Sequence, residues 1–195
     1  MSRALAVLLA TALLLGRAGA APDDQTTLAA RHALIALRVL AYDKRLAERS
    51  PGAAVTIAIV STPTESGRAA RAVLEAGFAL LPKVKVGGRA VKVVTVEATS
   101  DKALTKALTD AAPSAVIVVD ALGDRLSALR DVARARSVLT MSWREADVTS
   151  GVTVGIVAAR EREQIVINIA AARAEGVRFG AGLLQLARIV DAGAK

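Results

Sequence analysis

The chain has 195 residues, no cysteine, one histidine and a formal net charge of +8 at pH 7. These counts exclude thiol chemistry, cysteine metal sites and disulfides, and a single histidine disfavours a histidine-based metal site or catalytic dyad. Aromatic residues make up 2% of the chain, so the core must be aliphatic and no stacking platform for nucleic-acid bases is expected.

Residues 1–20 have the order of regions that is typical of a secretory signal peptide. Arg3 gives a basic start, residues 4–15 are almost entirely apolar, and residues 18–20 (AGA) form a small-residue cleavage site. The apolar part is shorter than the roughly 20 residues that span a bilayer. Cleavage there removes two arginines and no acid, which leaves 175 residues with a net charge of +6. We therefore expect a periplasmic protein with one domain over residues 21–195, and its export argues against nucleic acid as a partner.

The exported part begins with a predicted helix from Thr26 or Thr27 to about Arg49. Three arginines recur on it every seven residues and share one line of the helix surface: Arg31, Arg38 and Arg45. Such a line of charges is usually a solvated face, and we favour that interpretation. The alternative is a docking surface for an acidic partner. His32 is expected at the surface or at the boundary of the core.

Short aliphatic strands then alternate with helices. Strands are predicted for residues 54–60, 91–96, 115–119 and 137–141, and helices for residues 68–81, 101–111 and 123–135. The side chains expected to face the sheet from the first of these helices are Ala69, Ala72, Val73, Ala76 and Leu80. Gly87-Gly88 is a turn and lacks the pattern of a phosphate loop. This alternation predicts a central parallel sheet with helices on both faces.

The last part of the chain is predicted to close the sheet. Residues 151–157 and 164–169 form a hairpin, because isoleucines recur in its second arm at the two-residue period of a strand. A short helix over residues 170–175 ends at Gly176, and a closing helix covers residues 183–190. Asn168 is expected to bond the backbone around Ala170–Ala172. The predicted fold is thus a single-domain three-layer α/β sandwich, with a largely parallel central sheet and a C-terminal antiparallel hairpin at one edge.

Polar side chains follow the predicted strands at the carboxyl end of the sheet, where open α/β folds bind ligands. The candidate small-molecule crevice consists of Ser61, Asp120, Ser142 and Trp143. The alternative, which we favour, is that Asp120 and Ser142 cap the helices that follow them. Ser142 has no histidine base in any foreseeable geometry and no G-x-S-x-G elbow, so no catalytic residue is assigned. No metal or cofactor is expected.

The segment INIAAARAEGVRFGAGLLQLARIV at residues 167–190 resembles the carboxyl-terminal signature of the YfiR-like family. In that signature a strand-to-helix step is followed by a glycine and by a leucine-rich closing helix. Residues 86–96 and 137–140 resemble two further blocks of the family, in the same order. The first helix departs from the family pattern, because LRVLAYDKRL at residues 37–46 stands where better-known members carry an aromatic run.

The resemblance implies an exported, non-enzymatic regulator that restrains an inner-membrane diguanylate cyclase and so acts in cyclic-di-GMP signalling. The expected partner is that cyclase or a membrane sensor kinase, held by protein–protein contact. The alternative is a small-molecule-binding component that serves a sensor or a transport system. Members with cysteine pairs couple to redox state, which this chain cannot do because it has no cysteine. The sequence does not indicate an oligomeric state.

Overall fold

The computed structural model describes residues 24–159 and 162–191, so the predicted signal peptide at residues 1–20 lies outside the described residues. The strands are β1 Ala54–Ser61, β2 Lys85–Val86, β3 Arg89–Glu97, β4 Ala115–Val118, β5 Leu139–Ser142, β6 Val154–Ala159, β7 Arg162–Asn168 and β8 Arg188–Val190. The helices are α1 Asp24–Ala41, α2 Leu46–Arg49, α3 Glu65–Ala79, α4 Asp101–Ala111, α5 Arg125–Arg136, α6 Glu145–Thr149, α7 Ile169–Ala174 and α8 Ala181–Leu186. None of these helices combines the length and the apolar character that a membrane crossing requires.

All eight strands belong to one sheet, in the order β2-β3-β1-β4-β5-β6-β7-β8. The five strands from β3 to β6 in that order run parallel. β7 pairs antiparallel with β6, and β2 pairs antiparallel with β3 across the Gly87-Gly88 turn, where both residues have positive φ. The predicted mixed α/β sandwich with a C-terminal hairpin is confirmed. The small strand β2 was not expected, and neither was β8, which pairs parallel with β7 and forms the outer edge.

The core lies on both faces of the sheet. On one face, α1, α3, α7 and α8 pack against the sheet, and the buried side chains of this layer include Leu40, Ile57, Ile117 and Ile167. On the other face, α4 and α5 bury Leu104, Leu108 and Leu129 against β1 and β4. Burying one such side chain stabilises the fold by about 1.5–3 kcal/mol, so these aliphatic layers hold the carboxyl ends of the strands in place.

The prediction of one helix from Thr26 to Arg49 is wrong. α1 ends at Ala41 because the backbone of Asp43 forms an antiparallel bridge with Phe179, far away in the sequence. The Asp43 carboxylate also accepts hydrogen bonds from the backbone amides of Arg45 (3.0 Å) and Arg178 (3.1 Å). Arg45 therefore lies outside α1, and the seven-residue line of arginines does not continue along one helix face.

A buried ion pair stabilises this break. The side chains of Arg49 and Asp43 are 3% and 0% exposed, and Arg49 Nε donates to Asp43 Oδ2 at 3.0 Å. The same guanidinium donates to the backbone carbonyls of Ser114, at 3.3 Å, and of Ser137. Arg49 thus connects α2 to the segments that precede β4 and β5.

The face of α3 that contacts the rest of the fold was also predicted wrongly. Its buried residues are Gly67, Leu74, Gly77 and Phe78. Gly77 decides the orientation, since a Cβ there would lie 2.5 Å from the backbone of Ala29, and only glycine lets α3 approach α1 so closely. The side chains predicted to face the sheet are exposed instead: Ala69, Ala72, Val73, Ala76 and Leu80.

Two further differences concern short elements. The short helix α6, Glu145–Thr149, was not among the predicted elements. The closing helix predicted for residues 183–190 ends at Leu186, and Arg188–Val190 form β8. The β-branched residues Ile189 and Val190 favour a strand, and pairing with β7 satisfies backbone groups that a longer helix would leave open on that edge.

The prediction for Asn168 is confirmed. This residue is fully buried at the end of β7, where its Oδ1 accepts a hydrogen bond from the amide of Ala171 at 3.0 Å. Its Nδ2 donates to the carbonyl of Val148 at 2.9 Å. One amide side chain therefore caps α7 and fixes α6 against the end of β7.

Candidate functional site

Asp120 lies at the carboxyl end of β4, but its carboxylate is used within the fold. Oδ1 accepts a hydrogen bond from the amide of Thr62 at 3.0 Å, and Oδ2 accepts one from the Thr62 hydroxyl. A Cβ at Gly67 would lie 2.5 Å from Asp120 Oδ2, so the start of α3 packs directly on this carboxylate. The expectation that Asp120 caps the next helix is wrong, since the N-cap residue of α5 is Asp124.

Ser142 is fully buried at the end of β5. Its Oγ donates to Asp147 Oδ2 at 2.6 Å and accepts from the amide of Arg144 at 3.1 Å. The N-cap residue of α6 is Arg144 and no side chain caps that helix, so the expectation that Ser142 caps it is wrong. The hydroxyl of Ser142 instead bonds the amide of Arg144 and a carboxylate within the helix. Ser61 is buried too, with Oγ 3.5 Å from Nη1 of Arg71. Ser61, Asp120 and Ser142 are therefore engaged in the scaffold, and their predicted contact with a ligand stays a prediction.

Among the four residues of the candidate crevice, Trp143 lines an open cavity. The cavity has a volume of about 420 Å³ and lies between α1, α3 and the carboxyl ends of β4 and β5. We call it the His32–Trp143 cleft, after the two rings in its wall. Its lining consists of Leu28, Ala29, His32, Ala69, Ala70, Val73, Leu74, Val119 and Trp143. Apolar lining with a few polar atoms is the usual character of a binding cleft.

The two rings form one wall of the His32–Trp143 cleft. Their centroids are 5.0 Å apart and their planes differ by 29°, which is a stacked arrangement. His32 Nε2 lies 3.5 Å from Oε1 of Glu163, and Arg31 forms an ion pair with the same carboxylate. Burial lowers the pKa of His32, and the nearby charge of Glu163 opposes that shift. The cleft thus combines an apolar interior with one titratable ring at its wall.

Sequence reasoning missed most of this cleft. Val73 was assigned to the sheet-facing side of α3, but it is exposed and lines the cleft. His32 was placed at the boundary of the core, which agrees with its half-buried position, but its contacts with Trp143 and Glu163 were not foreseen. Four segments far apart in sequence meet here, so the signal available in the sequence was a lone histidine on the first helix.

The three arginines predicted as a partner surface do not lie together. Arg31 is exposed beside the His32–Trp143 cleft and pairs with Glu163. Arg38 is exposed on α1, and Arg45 lies beyond the end of that helix, where it pairs with Glu48. Arg45 instead lines a basic recess of about 630 Å³ near the amino ends of the parallel strands, together with Lys44, Glu48, Arg173, Gly176, Val177 and Arg178.

A buried carboxyl group lies next to this recess. Glu175 is 1% exposed, and Oε1 accepts from the hydroxyl of Thr140 at 2.6 Å. Oε2 accepts from the amide of Thr140 at 3.0 Å and from the hydroxyl of Thr153 at 2.6 Å. Burial raises the pKa of Glu175 to about 7, against these hydrogen bonds and the charge of Arg49, which act to lower it. Glu175 joins β5, the start of β6 and α7, and it does not reach the cleft.

Among residues 24–159 and 162–191, no three His, Cys, Asp or Glu side chains cluster so as to hold a metal ion. The donor groups of the His32–Trp143 cleft are a single imidazole and one indole N–H. Covalent catalysis needs a nucleophilic side chain beside a base, and these two groups do not form such a pair. The geometry of the cleft therefore suits binding better than covalent chemistry.

The sequence matches the model of a family described as YfiR/HmsC-like over residues 32–188, which is more than half of the chain. This match includes His32, Trp143 and the C-terminal segment from β7 to β8. The family is a regulatory, non-catalytic one. None of the curated proteins matches the chain.

Three solved structures share the fold at low sequence identity. A conserved domain protein from Vibrio cholerae has a TM-score of 0.56 and 13% identity, covering 83% of this chain and 59% of that one. The ligand-free, open structure of CD0873 from Clostridium difficile, a substrate binding protein with adhesive properties, has a TM-score of 0.55 and 12% identity, covering 77% and 58%. An ABC domain in complex with L-Trp from Streptococcus pneumonia has a TM-score of 0.54 and 12% identity, covering 78% and 60%. This chain thus spans about three-fifths of each of these proteins, and the likeness concerns the fold.

Proposed function

Since the chain belongs to the YfiR/HmsC-like family, we propose that it is an exported regulatory protein that restrains a membrane-bound signalling enzyme by protein–protein contact. The enzyme would be a diguanylate cyclase or a sensor kinase of the inner membrane. The protein would be periplasmic, after cleavage of residues 1–20. Family membership supports the regulatory role, and the signal peptide predicted from the sequence supports the compartment.

The observation that carries this proposal is the His32–Trp143 cleft. Its rim carries two exposed large apolar side chains, Leu28 and Val73, which are 47% and 37% exposed. An exposed apolar rim around a ring-lined hollow is typical of sites that receive an apolar or aromatic anchor from a partner. About 420 Å³ is ample for one or two such side chains. We infer that a segment of the signalling enzyme's periplasmic domain inserts an apolar anchor there.

The mechanism follows from differential binding. If the cleft accepts the anchor only in the inactive form of the enzyme, binding shifts the enzyme toward that form. Release of the regulator returns the equilibrium to the active form. The regulator itself needs no chemistry for this, which agrees with the lining of the cleft.

The test compares variants in the cell and in membrane extracts. Val73→Asp places a charge on the rim of the cleft, and we expect it to raise cyclic-di-GMP or kinase output to the level of a gene deletion and to abolish recovery of the enzyme in pull-downs. Leu186→Asp is the matched control, because Leu186 is 74% exposed on α8 and does not line the cleft. A deletion that leaves both outputs unchanged, with no sensor recovered from membranes, would refute the proposal.

The second candidate is a small-molecule-binding component that serves a sensor or a transport system. It is supported by the similarity in fold to a substrate binding protein and to a domain in complex with L-Trp. A thermal-shift screen of periplasmic metabolites tests it, since a ligand that binds the folded state raises Tm. A stabilising ligand whose effect is weakened by Trp143→Ala would favour this function. Asp120→Ala would add little, because Asp120 bonds Thr62 and does not line the cleft.

A further inference from the structure

Half of the exposed basic side chains that the structure describes lie at one end of the molecule. The segments at the amino ends of the parallel strands carry seven exposed cationic side chains, which we call the basic end: Lys44, Arg45, Lys83, Lys85, Arg136, Arg173 and Arg178. They come from the break after α1, the β2 hairpin, the end of α5, and α7 with the loop after it. The fold therefore gathers charges that are scattered along the sequence.

The pairing of charges differs sharply between the two ends. Within the described residues, six members of the basic end have no carboxylate within 4 Å, and Arg45 alone pairs with an acid, Glu48. At the opposite end four arginines are paired with acids: Arg31 with Glu163, Arg68 with Glu97, Arg144 with Asp147 and Arg188 with Glu145; Arg125 bonds the backbone carbonyl of Thr99 instead. Among the described residues, exposed cations without an acid partner are thus more numerous at the basic end than at the opposite end.

Few exposed acids offset the charge there. In the segments that adjoin the basic end, the structure describes exposed carboxylates at Glu48, Asp110 and Asp191. Glu75 and Asp131 are exposed farther back, in α3 and α5. Lys106 already pairs with Asp110, and Arg71 lies 3.9 Å from Glu75. Asp43 and Glu175 also lie at this end, but both are buried and hydrogen-bonded within the fold. At the basic end, exposed cations therefore outnumber exposed carboxylates.

Two exposed apolar side chains stand among these cations. Tyr42, next to Lys44, is 42% exposed, and Leu80, close to Lys83, is 51% exposed. A tyrosine and a leucine flanked by basic residues are the combination that enters the headgroup region of a membrane, with the ring or chain in the apolar layer and the cations on the phosphates. The neighbouring basic recess of about 630 Å³ has room for a lipid phosphate headgroup.

We propose that the basic end docks on an anionic phospholipid surface. The charge is spread over segments that border seven strands of the sheet, roughly 30 Å at about 4.8 Å per strand. A broad, delocalised cationic surface with exposed apolar residues fits the continuous charge of a bilayer better than the localised face of an acidic protein. Because Val119 and Trp143 follow the carboxyl ends of their strands, docking this way directs the His32–Trp143 cleft away from the lipid.

The test is co-sedimentation with vesicles of phosphatidylglycerol mixed with phosphatidylcholine, compared with pure phosphatidylcholine. The protein should begin at Ala21, because the apolar residues 1–20 would bind lipid by themselves. Each basic residue near an anionic surface strengthens binding about fivefold, so a charge reversal, which changes two units, should weaken it about 25-fold. We expect this weakening of about 25-fold for Lys85→Glu and for Arg173→Glu, and the two residues lie on separate segments. Lys102→Glu is the matched control, since Lys102 is exposed at the opposite end and forms no ion pair with a described residue.

The proposal is supported if binding requires phosphatidylglycerol, falls with salt and is lost in both variants while the control binds like the wild type. Absence of sedimentation at low salt, equal sedimentation with pure phosphatidylcholine, or an equal loss in Lys102→Glu would overturn it. A further experiment adds inorganic phosphate to the vesicle mixture at constant ionic strength. If it displaces the protein from vesicles more than chloride does, the recess is a site for a small soluble anion and the docking proposal fails. None of these outcomes depends on which signalling enzyme the cleft binds.

Discussion

Replacing Glu175 by glutamine tests how burial controls the stability of the sheet. The carboxyl group is 1% exposed and burial raises its pKa from 4.5 to about 7. A raised folded-state pKa stabilises the protein fully below the unfolded value of 4.5, and this contribution is lost as the pH rises through about 7. Glutamine has nearly the same shape and does not titrate. The variant should therefore lack this part of the pH dependence.

The magnitude follows from the shift. A rise from 4.5 to about 7 corresponds, at 1.36 kcal/mol for each pKa unit, to about 3 kcal/mol between pH 4.5 and pH 8. The free energy of unfolding of the wild type should fall by this amount over that range relative to Glu175→Gln. The hydroxyls of Thr140 and Thr153 can rotate to accept from the new amide, so the variant keeps partners for its side chain.

The assay is urea unfolding at a series of pH values and constant ionic strength. Trp143 is the single tryptophan of the chain and reports unfolding by its fluorescence. Glu48→Gln is the control, because Glu48 is exposed at the same end of the molecule and pairs with Arg45 at the surface. Parallel curves for the wild type and Glu175→Gln would refute the reasoning. They would mean that the three hydrogen bonds and Arg49 outweigh burial and keep the carboxylate ionised.

Three further predictions concern single contacts. Asp43→Ala leaves the buried guanidinium of Arg49 without its carboxylate, and chemical denaturation should show a loss of about 3–5 kcal/mol. Gly77→Ala places a Cβ 2.5 Å from the backbone of α1, so the free energy of unfolding should fall by about 1–3 kcal/mol while a leucine-to-methionine change in the core costs less. NMR titration of His32 should give a pKa below 6.5, because burial disfavours the charged ring. Glu163→Gln should lower the pKa of His32 further, because it removes the attraction that opposes the effect of burial. An upward shift of this pKa in the variant would contradict the assignment.

The parts of the fold that the sequence predicted depend on local patterns. The aliphatic runs of β1 and β4 and the spacing of apolar residues in α4 each determine their own structure, because periodicity acts over a few residues. Asn168 was interpreted correctly for the same reason, since a side-chain amide at a strand-to-helix step bonds its near neighbours.

The parts that failed depend on partners far away in sequence. The end of α1 is set by a bridge from Asp43 to Phe179, and the face of α3 is set by the close approach of Gly77 to Ala29. Neither contact leaves a pattern within its own segment. The cleft was missed for the same reason, because His32 contacts Trp143 and Glu163 only when the sheet has formed.

The carboxylate of Asp43 bonds the amide of Arg178 across 135 positions of the chain. Such a contact makes a large contribution to contact order, and the entropy of closing so long a loop must be overcome before the bond forms. We expect folding to be slow for a protein of this size, with Arg49 buried late and the first helix held only loosely until the last hairpin is in place. A chain that ends before Arg178 would leave the ion pair between Asp43 and Arg49 partly open to water. We expect proteases to cleave such a shortened chain early.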